Sequence, residues 1–248
     1  MVKRIWLLFV MLVFFTDHAS YAQHSRLRLM TYNVRNAKGM DNKTDYDRIA
    51  AVLKNGHADI IALQELDSAT TRSGGENVVK TLAEKSGYAH VYGAAISYQG
   101  GKYGVGILSK KKPSKYYKVP LPGKEEERVL LVAEFKKYVI FCTHLSLTDS
   151  DRLASVNIIN DYAGKYKKPV YLLGDLNAEP ISNVIVALKA RWKLLSGEEP
   201  TFPAPVPARC IDYILVMNDK SLKVISKGVL NEPMASDHRP VMVEVSGK

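Results

Sequence analysis

Asp59-Ile60-Ile61-Ala62-Leu63-Gln64-Glu65 is a short apolar run, bounded by turn residues and closed by an amide and a carboxylate. Its length and unbroken apolar centre predict a buried strand that delivers Gln64 and Glu65 at its end. The same construction recurs at residues 170–173, which run into Gly174-Asp175-Leu176-Asn177, and at residues 27–32, whose alternating pattern gives way to a loop at Asn33. Further strands are expected at 105–109, 129–135, 138–143, 211–216 and 240–245. Helices are expected between them. One spans 45–55, with Thr44 or Asp45 as N-cap, Ile49, Val52 and Leu53 on its inner face and Gly56 as a stop. Others span 76–85, stopping at Gly87, and 149–162. Helices that alternate with strands, together with consecutive strand pairs, imply an α/β sandwich of two packed sheets with helices outside.

The strand ends carry the chemistry. They read Thr31-Tyr32-Asn33, Gln64-Glu65, Thr143-His144-Leu145, Gly174-Asp175-Leu176-Asn177, Ile211-Asp212-Tyr213 and Ser236-Asp237-His238. Brought to one place, these pieces supply oxygen ligands for a hard divalent cation and two imidazoles for proton transfer. A carboxylate at the end of a buried strand, such as Glu65, is costly without a positive partner, so a cation or an arginine is expected beside it. Asn33 can offer its carbonyl to a metal or its amide to a phosphate. Asp175 and Asn177, two residues apart on an extended segment, are expected on one side of the chain, where both can face a single phosphate.

The chain opens with Lys3 and Arg4, an apolar run over residues 5–15, and a polar stretch ending Ser20-Tyr21-Ala22. That is the anatomy of a secretory signal cut before Gln23, and a run this short falls well below the roughly twenty residues a membrane span needs. Residues 1–22 are therefore expected to be a signal peptide, and residues 23–248 one domain, because no low-complexity linker divides them. The Pro-rich stretch 200–207 is expected to be an ordered loop leading into Cys210-Ile211-Asp212. Cys142 and Cys210 are the two cysteines of the sequence and are expected to be core residues, since two thiols make no disulfide framework.

The formal charge is +10, which loss of Lys3, Arg4 and Asp17 lowers by one. An acidic substrate or surface is favoured. Lysines gather at 110–112, with Lys115 and Lys118, at 136–137 and at 165–168, but few aromatics are interleaved with them, which weighs against a dedicated single-strand nucleic-acid track.

The order and wording of the strand-end pieces resemble the endonuclease/exonuclease/phosphatase superfamily, the deoxyribonuclease-like fold, over nearly the whole chain after the leader. The resemblance implies a four-layer α/β sandwich of two packed, mainly antiparallel β-sheets flanked by helices, with the site at one end. It implies magnesium, with manganese as the alternative ion, held principally by Glu65 with Asn33 and Asp237 in support. Asp175 would orient or deprotonate the attacking water and Asn177 would hold a phosphoryl oxygen. His238 would contact the phosphate with Asp212 fixing its tautomer, and His144 would stabilise charge or protonate the leaving oxygen from the opposite side. No covalent nucleophile is required.

Substrate identity is less legible. The histidine in Thr143-His144-Leu145 resembles the deoxyribonuclease, sphingomyelinase and phosphatase branches rather than the abasic-site endonucleases. Leu66-Asp67 follows the metal glutamate where pancreatic-type deoxyribonucleases carry a groove-binding arginine. The leader aside, Trp192 is the sole tryptophan, against the exposed aromatics of secreted sphingomyelinases. Gln64-Glu65-Leu66-Asp67, Gly101-Lys102-Tyr103-Gly104, Thr201-Phe202-Pro203 and Ile211-Asp212-Tyr213-Ile214 are similar to patterns in exported bacterial metal-dependent hydrolases. Arg72, Tyr103, Arg128 and Arg152 are the expected substrate contacts. The expectation is a secreted or periplasmic, monomeric phosphoesterase acting on a small-molecule or lipid-derived phosphate ester and needing no stable protein partner. A secreted nuclease acting on DNA or RNA is the alternative, and an inactive binding module on the same scaffold is the remaining class.

Overall fold

The computed structural model describes residues 26–219 and 221–246, so the expected signal peptide lies outside the described residues. Twelve strands form two six-stranded sheets. The first holds β1 (Arg26–Asn33), β2 (Ile60–Ser68), β3 (Ala89–Tyr98), β4 (Gly101–Ser109), β11 (Lys223–Val229) and β12 (Val241–Ser246), in the order β11-β12-β1-β2-β4-β3. The second holds β5 (Lys115–Leu121), β6 (Arg128–Glu134), β7 (Val139–His144), β8 (Val170–Asp175), β9 (Lys193–Leu194) and β10 (Asp212–Met217), in the order β5-β6-β7-β8-β10-β9. Each sheet is antiparallel except at one central pair, β1 with β2 and β7 with β8. A parallel pair needs a crossover, and the helices α1 (Tyr46–Asn55) and α3 (Asp149–Ala163) supply it. With α2 (Val78–Ser86) and α4 (Asn183–Lys189), these helices form the outer layers.

The unbroken apolar runs follow from this layering. In β2, Ile60 and Ala62 face the second sheet, packing with Ile140, Leu173 and Ile214, while Ile61 and Leu63 face the helices, packing with Ile49, Leu53 and Leu82. Successive residues point to opposite faces, and both faces are covered, so every position is apolar. The second sheet does the same: Phe141 and Leu172 pack under Val156 and Ile159 of α3 and Leu188 of α4. Asp45 caps α1 by accepting from the Arg48 N–H. The second helix starts at Val78 rather than at residue 76, because Asn77 takes the N-cap and accepts from the Lys80 N–H; Gly87, at φ 80°, ends it in the left-handed region. No helix among the described residues is long and apolar enough to cross a membrane. Cys142 and Cys210 are free and buried, and burial pushes their thiols up to about 12 and about 11.

Candidate active site

Strand register does most of the assembly. Asn33 pairs with Gln64 across the parallel β1–β2 ladder, His144 pairs with Asp175 across β7–β8, and Asp212 pairs with Asp175 across β10–β8. All of these positions lie at one end of the sandwich. Glu65, expected at the end of a strand, instead sits within one: β2 continues to Ser68, and its register against β4 shifts between Leu63 and Leu66. Glu65 occupies that bulge at φ 58°, a left-handed conformation costly for a residue with a Cβ and characteristic of functional sites. Gln64 points inward instead, bonding Thr31 and the Cys142 sulfur beneath the site.

The two sheets meet at Asn33. Its fully buried amide nitrogen donates to Glu65 Oε1 at 2.9 Å and to Asp175 Oδ2 at 3.1 Å, joining carboxylates from both sheets. Its carbonyl oxygen accepts from the Arg35 N–H at 3.1 Å. Of the two roles open to Asn33, the structure therefore turns the amide, not the carbonyl, toward the acidic groups. Ser236 ties in the last segment by donating to the Asn33 backbone carbonyl at 2.7 Å, which brings Asp237 and His238 to the site.

The segment after Asp175 departs from the extended geometry expected for it. Asp175 Oδ1 accepts from the Asn177 N–H at 2.9 Å, an Asx-type turn, and Asn177 adopts φ 48°. The short polar side chain competes with the ladder for the backbone donor, so the strand stops at Asp175. Asn177 still lines the cleft, although its amide donates to the Leu145 carbonyl at 2.9 Å.

His238 and Asp212 form a buried dyad, with Nδ1 and Oδ2 2.9 Å apart. The same oxygen accepts from the Thr201 hydroxyl at 2.5 Å, and the Phe202 ring packs against the imidazole, with centroids 4.8 Å apart. Burial presses the His238 imidazolium down, but the carboxylates of Asp212, Asp175 and Asp237 outweigh it and hold the group up at about 10. His144 is the opposite case. Burial, reinforced by the Arg128 charge, pulls it down to about 4 against the opposing pull of Asp175. Glu65 is raised by burial and by the neighbouring Asp237 and Asp175 carboxylates, which together exceed the relief from Asn33 and His238.

These side chains line or underlie one cleft of about 330 Å³, with Glu65, Tyr103, Arg128, His144, Asp175, Asn177, Asp237 and His238 on its surface. Arg72 and Arg152, expected at the substrate, are committed elsewhere. Arg72 clamps the buried Asp67 through Nε and Nη2 at 2.7 and 2.8 Å and lies over the Tyr98 and Tyr103 rings, so it props Tyr103 rather than lining the cleft. Arg152 donates to the carbonyls of Ser146 and Leu147 and pairs with Asp149, fixing the loop after β7. Glu126, Leu147 and Arg209 line the cleft without having been singled out; the run of three glutamates before Arg128 in a basic chain was the available signal for Glu126.

The donor set suits a hard divalent cation. Glu65, Asp237 and Asp175 offer carboxylate oxygens around a spot where burial and the other two carboxylates raise Glu65, and a cation is what would relieve it. Asp175, Asp212 and His238 also place one ligand atom each within 4.8 Å of one another. In that trio His238 Nδ1 and Asp212 Oδ2 are bound to each other, leaving the buried Asp212 Oδ1 without a partner, while Glu65 and Asp237 offer carboxylates on the surface of the cleft.

The model of the Endonuclease/Exonuclease/phosphatase family matches residues 30–238, and the chain belongs to that family of hydrolases acting on phosphate esters. Solved structures share the fold. An endonuclease/exonuclease/phosphatase from Bacteroides vulgatus superposes with a TM-score of 0.76 at 18% identity, over 90% of this chain and 100% of that one. A mannosyl-6-phosphatase from Bacteroides thetaiotaomicron VPI-5482 gives 0.73 at 20% identity, over 88% and 99%. The catalytic domain of human Nocturnin, with a bound sulfate anion, gives 0.68 at 20%, over 89% and 94%.

Proposed function

We propose that the protein is a magnesium-dependent phosphoesterase, secreted or periplasmic and monomeric, that hydrolyses a small or lipid-derived phosphate ester by in-line attack of water. The carrying observation is the convergence on Asp175 of two imidazoles and of the Asn33 amide that joins it to Glu65, at the floor of one cleft. A magnesium ion held by Glu65 and Asp237 would neutralise the nonbridging phosphate oxygens. Asp175 accepts the proton of the attacking water and Asn33 fixes the carboxylate that does so. His238, charged and held by Asp212, binds a phosphate oxygen and serves as proton donor toward the leaving group; neutral His144 completes the anion pocket with an N–H donor. Asn177 and Arg128 border the phosphate. That one structural relative is a mannosyl-6-phosphatase supports a compact phosphate ester, and a cleft of about 330 Å³ suits one.

The +10 charge supports the second reading, a secreted nuclease. One assay separates them. The purified protein with magnesium is offered plasmid DNA, RNA, sphingomyelin, inositol phosphates and a chromogenic phosphodiester. Turnover of a small or lipid phosphate ester above that of DNA and RNA is expected; no turnover of any of them with magnesium or manganese overturns the reading.

A further inference from the structure

The lysine gatherings that the catalytic cleft leaves unused come together in the fold. Lysines 110–112 follow β4, Lys136 and Lys137 form the turn between β6 and β7, and Lys167 and Lys168 precede β8. Register sets these three turns at one end of the sandwich. Ser109 pairs with Ile60 in the first sheet, and in the second Glu134 pairs with Val139 and Val139 with Val170. Lys168 ties two of the turns together by donating to the Phe135 carbonyl at 2.6 Å. The catalytic groups sit at the opposite ends of the same strands, roughly 17 Å away along β8 at about 3.3 Å per residue.

A recess of about 360 Å³ opens between the sheets at this basic end, and Arg26, Lys110, Lys111 and Lys137 line it. Its two carboxylates are engaged. Asp59 accepts from Lys110 at 2.9 Å and from the Arg28 N–H at 2.8 Å, and Asp219 accepts from the Ser221 N–H and hydroxyl, both at 3.0 Å. Lysines 111, 112, 136 and 137 are exposed, and among the described residues none of them forms an ion pair. Between the cations the lining is apolar: Leu27, Ile60, Leu222 and Val245, with the Tyr138 ring edge-on to that of Tyr171.

We infer that this end of the sandwich docks on a bilayer containing anionic phospholipid, with the cleft turned away from it. Nothing in this depends on the phosphoesterase reading, because the docking groups lie at the other end of the molecule. Charge complementarity points to an extended anionic surface: three turns, distant in sequence, present unpaired lysines side by side, and each lysine near such a surface adds to the attraction. The apolar lining favours lipid over nucleic acid. A phosphodiester backbone gains nothing from leucine and valine, whereas the ester region and first methylenes of a lipid do. The course of the chain agrees. Arg26, where the described residues begin, lies on the recess, so residues 1–25, with their apolar run at 5–15, join the domain at this end.

Vesicle sedimentation tests the docking. The purified protein is spun with vesicles of phosphatidylcholine alone and with vesicles in which part of it is replaced by phosphatidylglycerol, at low and at physiological salt. The mixed vesicles are expected to bind the protein at least roughly tenfold more tightly than the neutral ones, with the excess shrinking as salt rises. The leader is common to every protein compared, so the difference reads the basic end. The triple variant Lys111→Ser, Lys112→Ser, Lys137→Ser should lose most of that excess, about fivefold per lysine, with its melting temperature unchanged. The same charge loss at the catalytic end, in Lys43→Ser, Lys80→Ser, Lys102→Ser, should leave most of it in place; Lys102 pairs with Ser68 there, and Lys80 lies in the first turn of α2. No preference for the mixed vesicles overturns the proposal, and so does a preference that both triple variants reduce equally. Heparin or plasmid DNA that binds more tightly than the mixed vesicles, and is lost in the first variant, assigns this end to a soluble polyanion and overturns it as well.

Discussion

His144 and His238 aim their Nε2 atoms at a single oxygen, Oδ2 of Asp175, from 3.4 and 3.6 Å. The two residues are chemically identical, yet one is held down at about 4 and the other up at about 10. The difference lies in what stands behind each ring. Both rings are buried, but His238 has the Asp212 carboxylate at its other nitrogen, while His144 has the Arg128 guanidinium near it. A site that needs one neutral and one charged imidazole at the same pH obtains both from this asymmetry.

The Thr201 hydroxyl shares Asp212 Oδ2 with His238. Thr201→Val keeps the shape and removes the donor, and a hydrogen bond to a charged group is worth about 1.5–3 kcal/mol. Activity is expected to fall by roughly tenfold to a hundredfold and the melting temperature to fall by several degrees, because the same buried bond also holds the fold. A mutant with undiminished kcat would show that the dyad needs no support from this loop.

Glu65 is costly to the folded chain. Its raised proton affinity means that the folded state binds a proton there more tightly than the unfolded one, so stability contributed at low pH is lost as pH rises above the ordinary carboxylate range. In the metal-free protein at neutral pH, Glu65→Gln should therefore raise the melting temperature while lowering activity by orders of magnitude. Loss of both stability and activity would contradict the argument from the buried carboxylate.

Glu125 runs the other way. Burial pushes it up, but the Leu147 N–H and the Ser146 and Thr148 hydroxyls outweigh that and hold it at about 2. Its stabilising effect is complete above the ordinary glutamate range and is lost as pH falls toward that value. Melting curves of the wild type should drop more steeply between about pH 4.5 and 2 than those of Glu125→Gln, and parallel curves would remove Glu125 from the account.

An oxygen donor set favours magnesium or manganese over softer ions. Exhaustive chelation should abolish activity, and either ion should restore it. Recovery with zinc alone would be incompatible with ligation by Glu65 and Asp237.

The lysines at 110–112 stand at the far end of the sandwich, since Ser109 pairs with Ile60, at the start of the strand whose later bulge carries Glu65. Changing all three to Ser should leave turnover of a small or lipid phosphate ester nearly unaltered, with only a fewfold salt effect. Efficient plasmid cleavage that collapses in this mutant and falls steeply with salt would favour the nuclease.

Sequence pattern revealed β1, β2, β4, β6, β7, β8, β10 and β12, the strands flanked on both sides, because apolar residues fill the positions that both neighbouring layers cover. It did not reveal β3, β5, β9 or β11, which are the four sheet edges. Lys115 and Lys118 read as part of the lysine gathering at 110–112, yet they lie in β5, as Lys223 and Lys227 lie in β11, and lysine is what guards an open edge. At the site, the pieces were legible as motifs, but two local geometries were not. The Glu65 bulge needs the partner strand to define it, and the Asp175 turn depends on a side chain outcompeting a ladder that the pattern alone would extend. Arg72 and Arg152 read as substrate contacts because nothing in the sequence shows that buried Asp67 and the Ser146 and Leu147 carbonyls claim them first.

The amide of Asn33 spans the seam between the sheets, so the catalytic constellation belongs to neither half of the molecule alone. Turnover then becomes a ruler for how the halves are docked. A slip of an ångström between them, too small to register in a melting curve, would separate Glu65 from Asp175 and silence the enzyme while its folded population stayed whole. Substitutions deep in the interlayer core, at Ala62 or Leu173, are accordingly expected to appear first as lost catalysis and only later as lost structure.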